Sequence, residues 1–142
     1  MSLLFTQEGM NYVLNTCFGN GTKQPLYIAL FKGNAEPNET WTASNFASVA
    51  DEVVSENEGF VGNRPQWIPQ DTDNNAIDNT QNRPEFVMKT TSGNVTITGI
   101  ALLTSPNRGG TQGKLIAVEK LPARTFQDGD TYTPSIRLTL SN

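Results

Sequence analysis

The chain reads as a single mainly β domain over residues 1–142: a jelly-roll-like β-sandwich of about eight short strands, with a short N-terminal helix. Three observations predict this. Turn formers are dense, with fifteen Asn, 12 Gly and 8 Pro, beside seventeen Thr, a residue that favours strands. The C-terminal segments alternate apolar and polar residues with the period of a strand. Short apolar runs recur along the chain, separated by turn signals, with no internal repeat, linker or low-complexity tail. At 142 residues one core buries roughly two thirds of the unfolded surface, so no covalent staple is required.

The first element is a helix within residues 1–20, acting as a lid over one end of a sheet. Thr6 caps it, and Met10, Val13, Leu14 and Phe18 recur at helical spacing as its apolar face. Cys17 is expected on that face as a buried thiol. Gly9 weakens the helix by roughly 1 kcal/mol relative to Ala. Gly19-Asn20-Gly21 ends it. Pro25 then opens Leu26–Phe31, an unbroken apolar run that reads as a strand covered on both faces. After a polar loop over 34–42, Ser44 caps a short helical piece running through Phe46 and Val49 to near Glu52 or Val54.

Glu56–Gly59 is a turn, and Phe60–Ile68 is extended with Pro65 at an edge or bend. The most polar stretch is Pro69–Asn82, anchored by Ile77. Phe86–Met88 is a short strand. Val95–Thr98 alternates, Gly99 suits a bulge or face switch, and Ile100–Leu103 runs apolar. Leu115–Val118 is the next strand, beyond a Gly-rich loop, and Asp128-Gly129 marks a turn. The last segment places Tyr132, Pro134, Ile136, Leu138 and Leu140 on one face.

Composition excludes several kinds of chemistry. Without histidine there is no Ser-His-Asp or Cys-His nucleophile and no His-ligated zinc. One cysteine allows neither an intrachain disulfide nor a CxxC site. A net charge of −4 argues against a nucleic-acid partner held through its phosphates. No apolar run approaches membrane-spanning length, and Met1–Phe5 lacks the basic and apolar parts of a secretory signal.

Site-like motifs fail on inspection. Asp71-Thr-Asp73-Asn-Asn75 opens like a calcium-binding loop, but Ala76 stands where Gly is needed and Asn82 where a bidentate Glu is needed. Gly109–Lys114 resembles a phosphate loop, yet Arg108 and Leu115 occupy required Gly and Ser/Thr positions, and the segment lies between strands. A β-hairpin loop is expected there. Asp51, Glu52, Glu56 and Glu58 read as a solvated helix end and turn rather than a hydrolase pair. The acceptor tripeptides at Asn20, Asn38 and Asn94 reflect the abundance of Asn and Thr. Trp67 beside Ile68 reads as core, whereas Trp41 suits a core corner or an interface equally.

The order of segments resembles a set of small tailed-bacteriophage virion proteins. The helix leads into Leu26-Tyr27-Ile28-Ala29-Leu30-Phe31-Lys32, then Asn34-Ala-Glu-Pro37-Asn-Glu-Thr40, then Ser44-Asn-Phe46. Gly59-Phe60 through Arg64 to Trp67 follows. The C-terminal half matches from Val95 through Gly113-Lys114-Leu115, Glu119, Pro122, Arg124 and Asp128-Gly129-Asp130 to Leu138 and Ser141. The resemblance spans nearly the whole chain and implies a jelly-roll protein that decorates or cements a capsid, or serves as a head fibre or tail component. It carries no catalytic residues.

The expectation is therefore a non-enzymatic structural virion protein on the capsid surface, assembled in the host bacterial cytoplasm. The major capsid protein would be its partner, with self-association as a dimer or trimer and no membrane partner. Neither cofactor nor metal is expected. Trp41, Trp67, Arg108 and Arg124 are the interface candidates, because Trp and Arg concentrate interface energy. The alternative is a tail or head fibre or baseplate component that binds host-surface carbohydrate, with Trp41 stacking on a sugar ring.

Overall fold

The computed structural model describes residues 3–140. Its elements in chain order are β1 (Leu4–Phe5), α1 (Gln7–Cys17), β2 (Leu26–Phe31), α2 (Ala43–Val49), β3 (Gly59–Phe60), β4 (Gln66–Trp67), β5 (Ala76–Asp78), β6 (Phe86–Lys89), β7 (Asn94–Leu103), β8 (Leu115–Gln127), β9 (Thr131–Tyr132) and β10 (Arg137–Thr139). The fold is mainly β and all its strand pairings are antiparallel. Ten strands rather than about eight arise because several pairings are only two residues long.

A five-stranded sheet, ordered β1-β8-β7-β2-β4, forms one layer, and β3-β6-β9 with the pair β10-β5 forms the layer across the core. The period of two along β2 divides its side chains between two clusters. Ile28 and Leu30 join Phe60, Phe86, Met88, Ile97, Leu102, Tyr132 and Ile136 in the main core. Ala29 and Phe31 point the other way, into a second cluster with Trp41, Phe46, Leu103 and Leu115 under α2. The central sheet is thus covered on both faces, as the unbroken apolar run of β2 predicts.

At Gly99 the β7–β8 register shifts, and a side chain there would collide with the Phe31 ring. The glycine leaves room for the tip of that ring and marks the irregularity read from the sequence. Strands β7 and β8 flank the Gly109–Lys114 segment as neighbours, so this is a β-hairpin loop. The register shift at Gly99 leaves Leu121–Ala123 of β8 without register partners in β7, which is why Pro122, with no N–H to give, is tolerated within the strand.

Four expectations are corrected. The second helix starts after Thr42, not Ser44, and Asn45 Oδ1 accepts from the Thr42 N–H at 2.9 Å. The last alternating segment is not one strand. Pro134 has no N–H to give a ladder, and buried Asn79 takes over: its Oδ1 accepts from Ile136 N at 2.8 Å and its Nδ2 donates to Pro134 O. The third correction concerns α1: of its expected apolar face only Val13 is half-buried, and the helix packs on a different side from Met10, Leu14 and Phe18. A Cβ at Gly9 would collide with the Ile116 carbonyl, so the helix backbone touches β8 directly at Gly9, its one buried residue. That contact turns Met10, Leu14 and Phe18 outward, where they are 42%, 56% and 86% exposed. The fourth follows from it: Cys17 is exposed, not a buried thiol.

Candidate interaction surfaces

Of the four interface candidates, burial takes both tryptophans off the surface. Trp41 packs edge-on against Phe31 in the second cluster, and the Trp67 indole N–H donates to Ile136 O at 3.3 Å within the main core. Arg108 is spent on its own chain. Its guanidinium lies 4.7 Å from the Phe60 ring centroid, donates to Phe60 O, and pairs with Glu56 at 3.3 Å, leaving 10% of the side chain exposed. Arg124 is the exposed member, 5.3 Å from the centroids of both Phe126 and Tyr132. Burial pushes the Tyr132 phenol up, against the opposing pull of Arg124.

Of the four carboxylates read as a solvated run, Asp51 and Glu56 are exposed, whereas Glu52 and Glu58 behave otherwise. Glu52 and Arg64 are fully buried and joined by two hydrogen bonds, Nε to Oε2 at 2.8 Å and Nη2 to Oε1 at 2.7 Å. Arg64 Nη1 also donates to Ser105 O at 2.9 Å, and Gly109 N donates to Glu52 Oε1 at 2.9 Å. This ion pair ties the 52–64 segment to the 105–109 hairpin loop. Glu58 accepts from Thr90 Oγ1, from the Thr91 N–H and hydroxyl, and from Ser92 Oγ. Those donors hold its carboxyl down at about 2. Both carboxylates are held by donors of their own chain: each Glu58 oxygen accepts two hydrogen bonds, and Glu52 accepts two on Oε1 and one on Oε2.

The Asp71–Asn82 segment is not a continuous ligand loop, because Ala76–Asp78 is drawn into pairing with Arg137–Thr139. Among the described residues no three His, Cys, Asp or Glu side chains gather as a metal site.

Three surfaces among the described residues are candidates for partner contact. One is the loop platform over the Glu52–Arg64 pair, a shallow cleft lined by Val54, Glu56, Gly62, Asn63, Asn107 and Arg108. Val54 and Val61 stand 46% and 54% exposed there, and Val61 N donates to Val87 O, placing exposed Val87 alongside. The second is a polar cleft of about 560 Å³, lined by Gln7, Asn11 and Asn15 of α1 together with Glu39, Trp41 and Lys114. The third is the outward apolar face of α1. Sequence reasoning missed Glu52–Arg64, because the residues are 12 apart and only the fold joins them. No family model matches the chain, and no curated protein is similar to it.

Proposed function

We propose that the chain is a structural virion protein of a tailed bacteriophage that decorates and stabilises the head shell. It acts by contact rather than by catalysis, on the capsid surface, after synthesis in the host cytoplasm. The resemblance of its segments to small virion proteins supports this reading. The observation that carries it is the loop platform: valines are exposed on loops fixed from beneath by a buried ion pair. A surface already ordered before contact gives up less entropy on binding, which suits a protein that must seat on a preformed lattice. Locating the chain in a cryo-EM map of its particle tests the proposal. Density on the shell, with the 54–63 and 105–110 loops against the capsid subunits, is the expected result; density confined to the tail would reject it.

A second reading, a fibre or baseplate component that binds carbohydrate, draws on the polar cleft beside Trp41. Carboxamides at 7, 11 and 15 line it with paired donors and acceptors suited to sugar hydroxyls. Trp41 is 7% exposed, so stacking on a sugar face is not part of this version. Cleft-residue shifts in NMR spectra on adding host-surface polysaccharide would favour it.

A further inference from the structure

On the carbohydrate reading of the polar cleft beside α1, we propose that its ligand is an oligosaccharide of neutral N-acetylated amino sugars, with the carboxamides of Asn11 and Asn15 holding an acetamido group. At about 560 Å³ the cleft has the size of a small-ligand site. Gln7, Asn11 and Asn15 are spaced i, i+4 and i+8, so they share one stripe of α1, and all three line the cleft. The helical rise sets successive carboxamides about 6 Å apart and makes the row about 12 Å long, more than one sugar ring spans. Asn11 and Asn15 are exposed, and the hydrogen bonds of α1 side chains among the described residues engage neither carboxamide. At one end of the row Gln7 Nε2 donates to Glu39 Oε1 at 3.4 Å. At the other, Asn15 O accepts from Gly19 N at 3.1 Å and Gly21 N at 2.9 Å, which holds the loop carrying Thr22 against the helix.

Three features favour the acetamido group over a plain hydroxyl. The first is hydrogen-bond geometry. An acetamido group is a trans amide, with its N–H and C=O on opposite sides. It needs an acceptor on one side and a donor on the other. Each carboxamide carries both, and a row of them supplies one on each side. The second is its methyl group, which needs an apolar wall. Tyr12 and Trp41 line the same cleft. Tyr12 is half-buried, and its hydroxyl is fixed at Gln24, accepting from N at 2.6 Å and donating to O at 3.3 Å, so the ring is held in place. The third is charge. Glu8 and Glu39 line the cleft against one Lys114, so an anionic sugar meets more like charge than opposite charge.

The test follows amide resonances of the isotope-labelled full chain by NMR during titration with triacetylchitotriose, with N-acetylgalactosamine, and with cellotriose, which carries hydroxyls where the first carries acetamido groups. Triacetylchitotriose should shift Asn11, Asn15 and Thr22, and should bind more tightly than the single sugar. Cellotriose should bind about tenfold more weakly, the worth of about two net hydrogen bonds. Asn11→Ala with Asn15→Ala should weaken binding of the acetylated trimer about tenfold or more. Circular dichroism and the melting temperature should not fall, because both side chains are exposed and alanine favours a helix. Leu14→Ala, outside the cleft, should bind as the wild type does. Cellotriose binding as tightly as the acetylated trimer overturns the acetamido assignment and leaves the carbohydrate reading standing. Affinity indifferent to Asn11 and Asn15, or shifts confined to other surfaces, overturns the site. No shift with either acetylated probe overturns the proposal. Host-surface polysaccharide then decides the carbohydrate reading separately: shifts in the cleft keep it, and their absence removes it too.

Discussion

Gly9 shows how one residue sets the approach of an element. By helix propensity alone, alanine in its place would stabilise α1 by about 1 kcal/mol. The fold reverses that sign. An added methyl group would be driven into the Ile116 carbonyl, and α1 is held there by Thr6, whose Oγ1 donates to Leu115 O at 2.5 Å and accepts from Gly9 N at 2.9 Å. Gly9→Ala is therefore expected to destabilise the protein by about 1–3 kcal/mol, the usual cost of overpacking, as measured by urea unfolding. A stabilised variant would show that α1 is not seated on β8 through its backbone. The buried ion pair obeys a different rule. Removing one partner strands the other charge in the core, so Arg64→Met should cost about 3–5 kcal/mol. Adding Glu52→Gln to that variant should recover part of the loss; if the double variant is no more stable than the single one, the stranded charge is not the cause.

Among the elements, the Thr90–Ser92 turn is tied to the β3 entry through a single carboxylate. Glu58 titrates at about 2 when folded against an ordinary 4.5, so ionised Glu58 favours the folded state. A depressed carboxyl contributes stability that is fully present above the unfolded value and is lost as pH falls through the folded one. The melting-temperature gap between the wild type and Glu58→Gln should be constant above about pH 5 and should close between about pH 4.5 and 2. A gap independent of pH would mean that the Thr90–Ser92 donors do not select the ionised form. How much of each element was legible follows from the range of its cause. The start of β7 was readable because a period of two is written in consecutive side chains, and β2 and the start of β8 because short unbroken apolar runs bounded by turn residues read as strands covered on both faces. The packed face of α1 was only partly so, since Gly9, Val13 and Thr16 satisfy helical spacing as well as Met10, Val13, Leu14 and Phe18 do, Val13 being common to both sets. Apolarity pointed to the second set, and backbone contact at Gly9 selected the first. The break between β9 and β10 had a local signal in Pro134, but its repair by Asn79 lies 55 residues away in sequence. The loop platform was illegible for the same reason: Glu52, Arg64, Ser105 and Gly109 meet only after the sheet has formed.

At the scale of the whole molecule, the sandwich keeps most of its aromatic side chains, and the Glu52–Arg64 pair, for itself. That changes how attachment to a shell is best probed. Replacing Trp41 or Arg108 would damage the core or the Phe60 contact before it weakened any external one. The exposed valines of the platform are the cleaner handle, because Val54 and Val61 can be changed at the surface. A decoration protein binds the closed shell better than a ruptured one, so by mass action it shifts the equilibrium toward closure, by about 2.7 kcal/mol per site when its free concentration is 100 times Kd. Many copies sum over a shell, although a rupture that starts locally draws on only the few copies around it. Particles lacking the chain should therefore still assemble, but should release their DNA at a lower temperature and after milder osmotic shock. Adding the purified protein back should restore the release temperature. Val61→Asp should restore it only at higher concentration, with an attachment loss of about 1–3 kcal/mol if Val61 is a central contact. Its fold should be unaffected, since the side chain faces solvent. Particles that keep full thermal stability without the chain but no longer adsorb to cells would replace decoration with the fibre reading, and would move attention from the valine platform to the carboxamide cleft of α1.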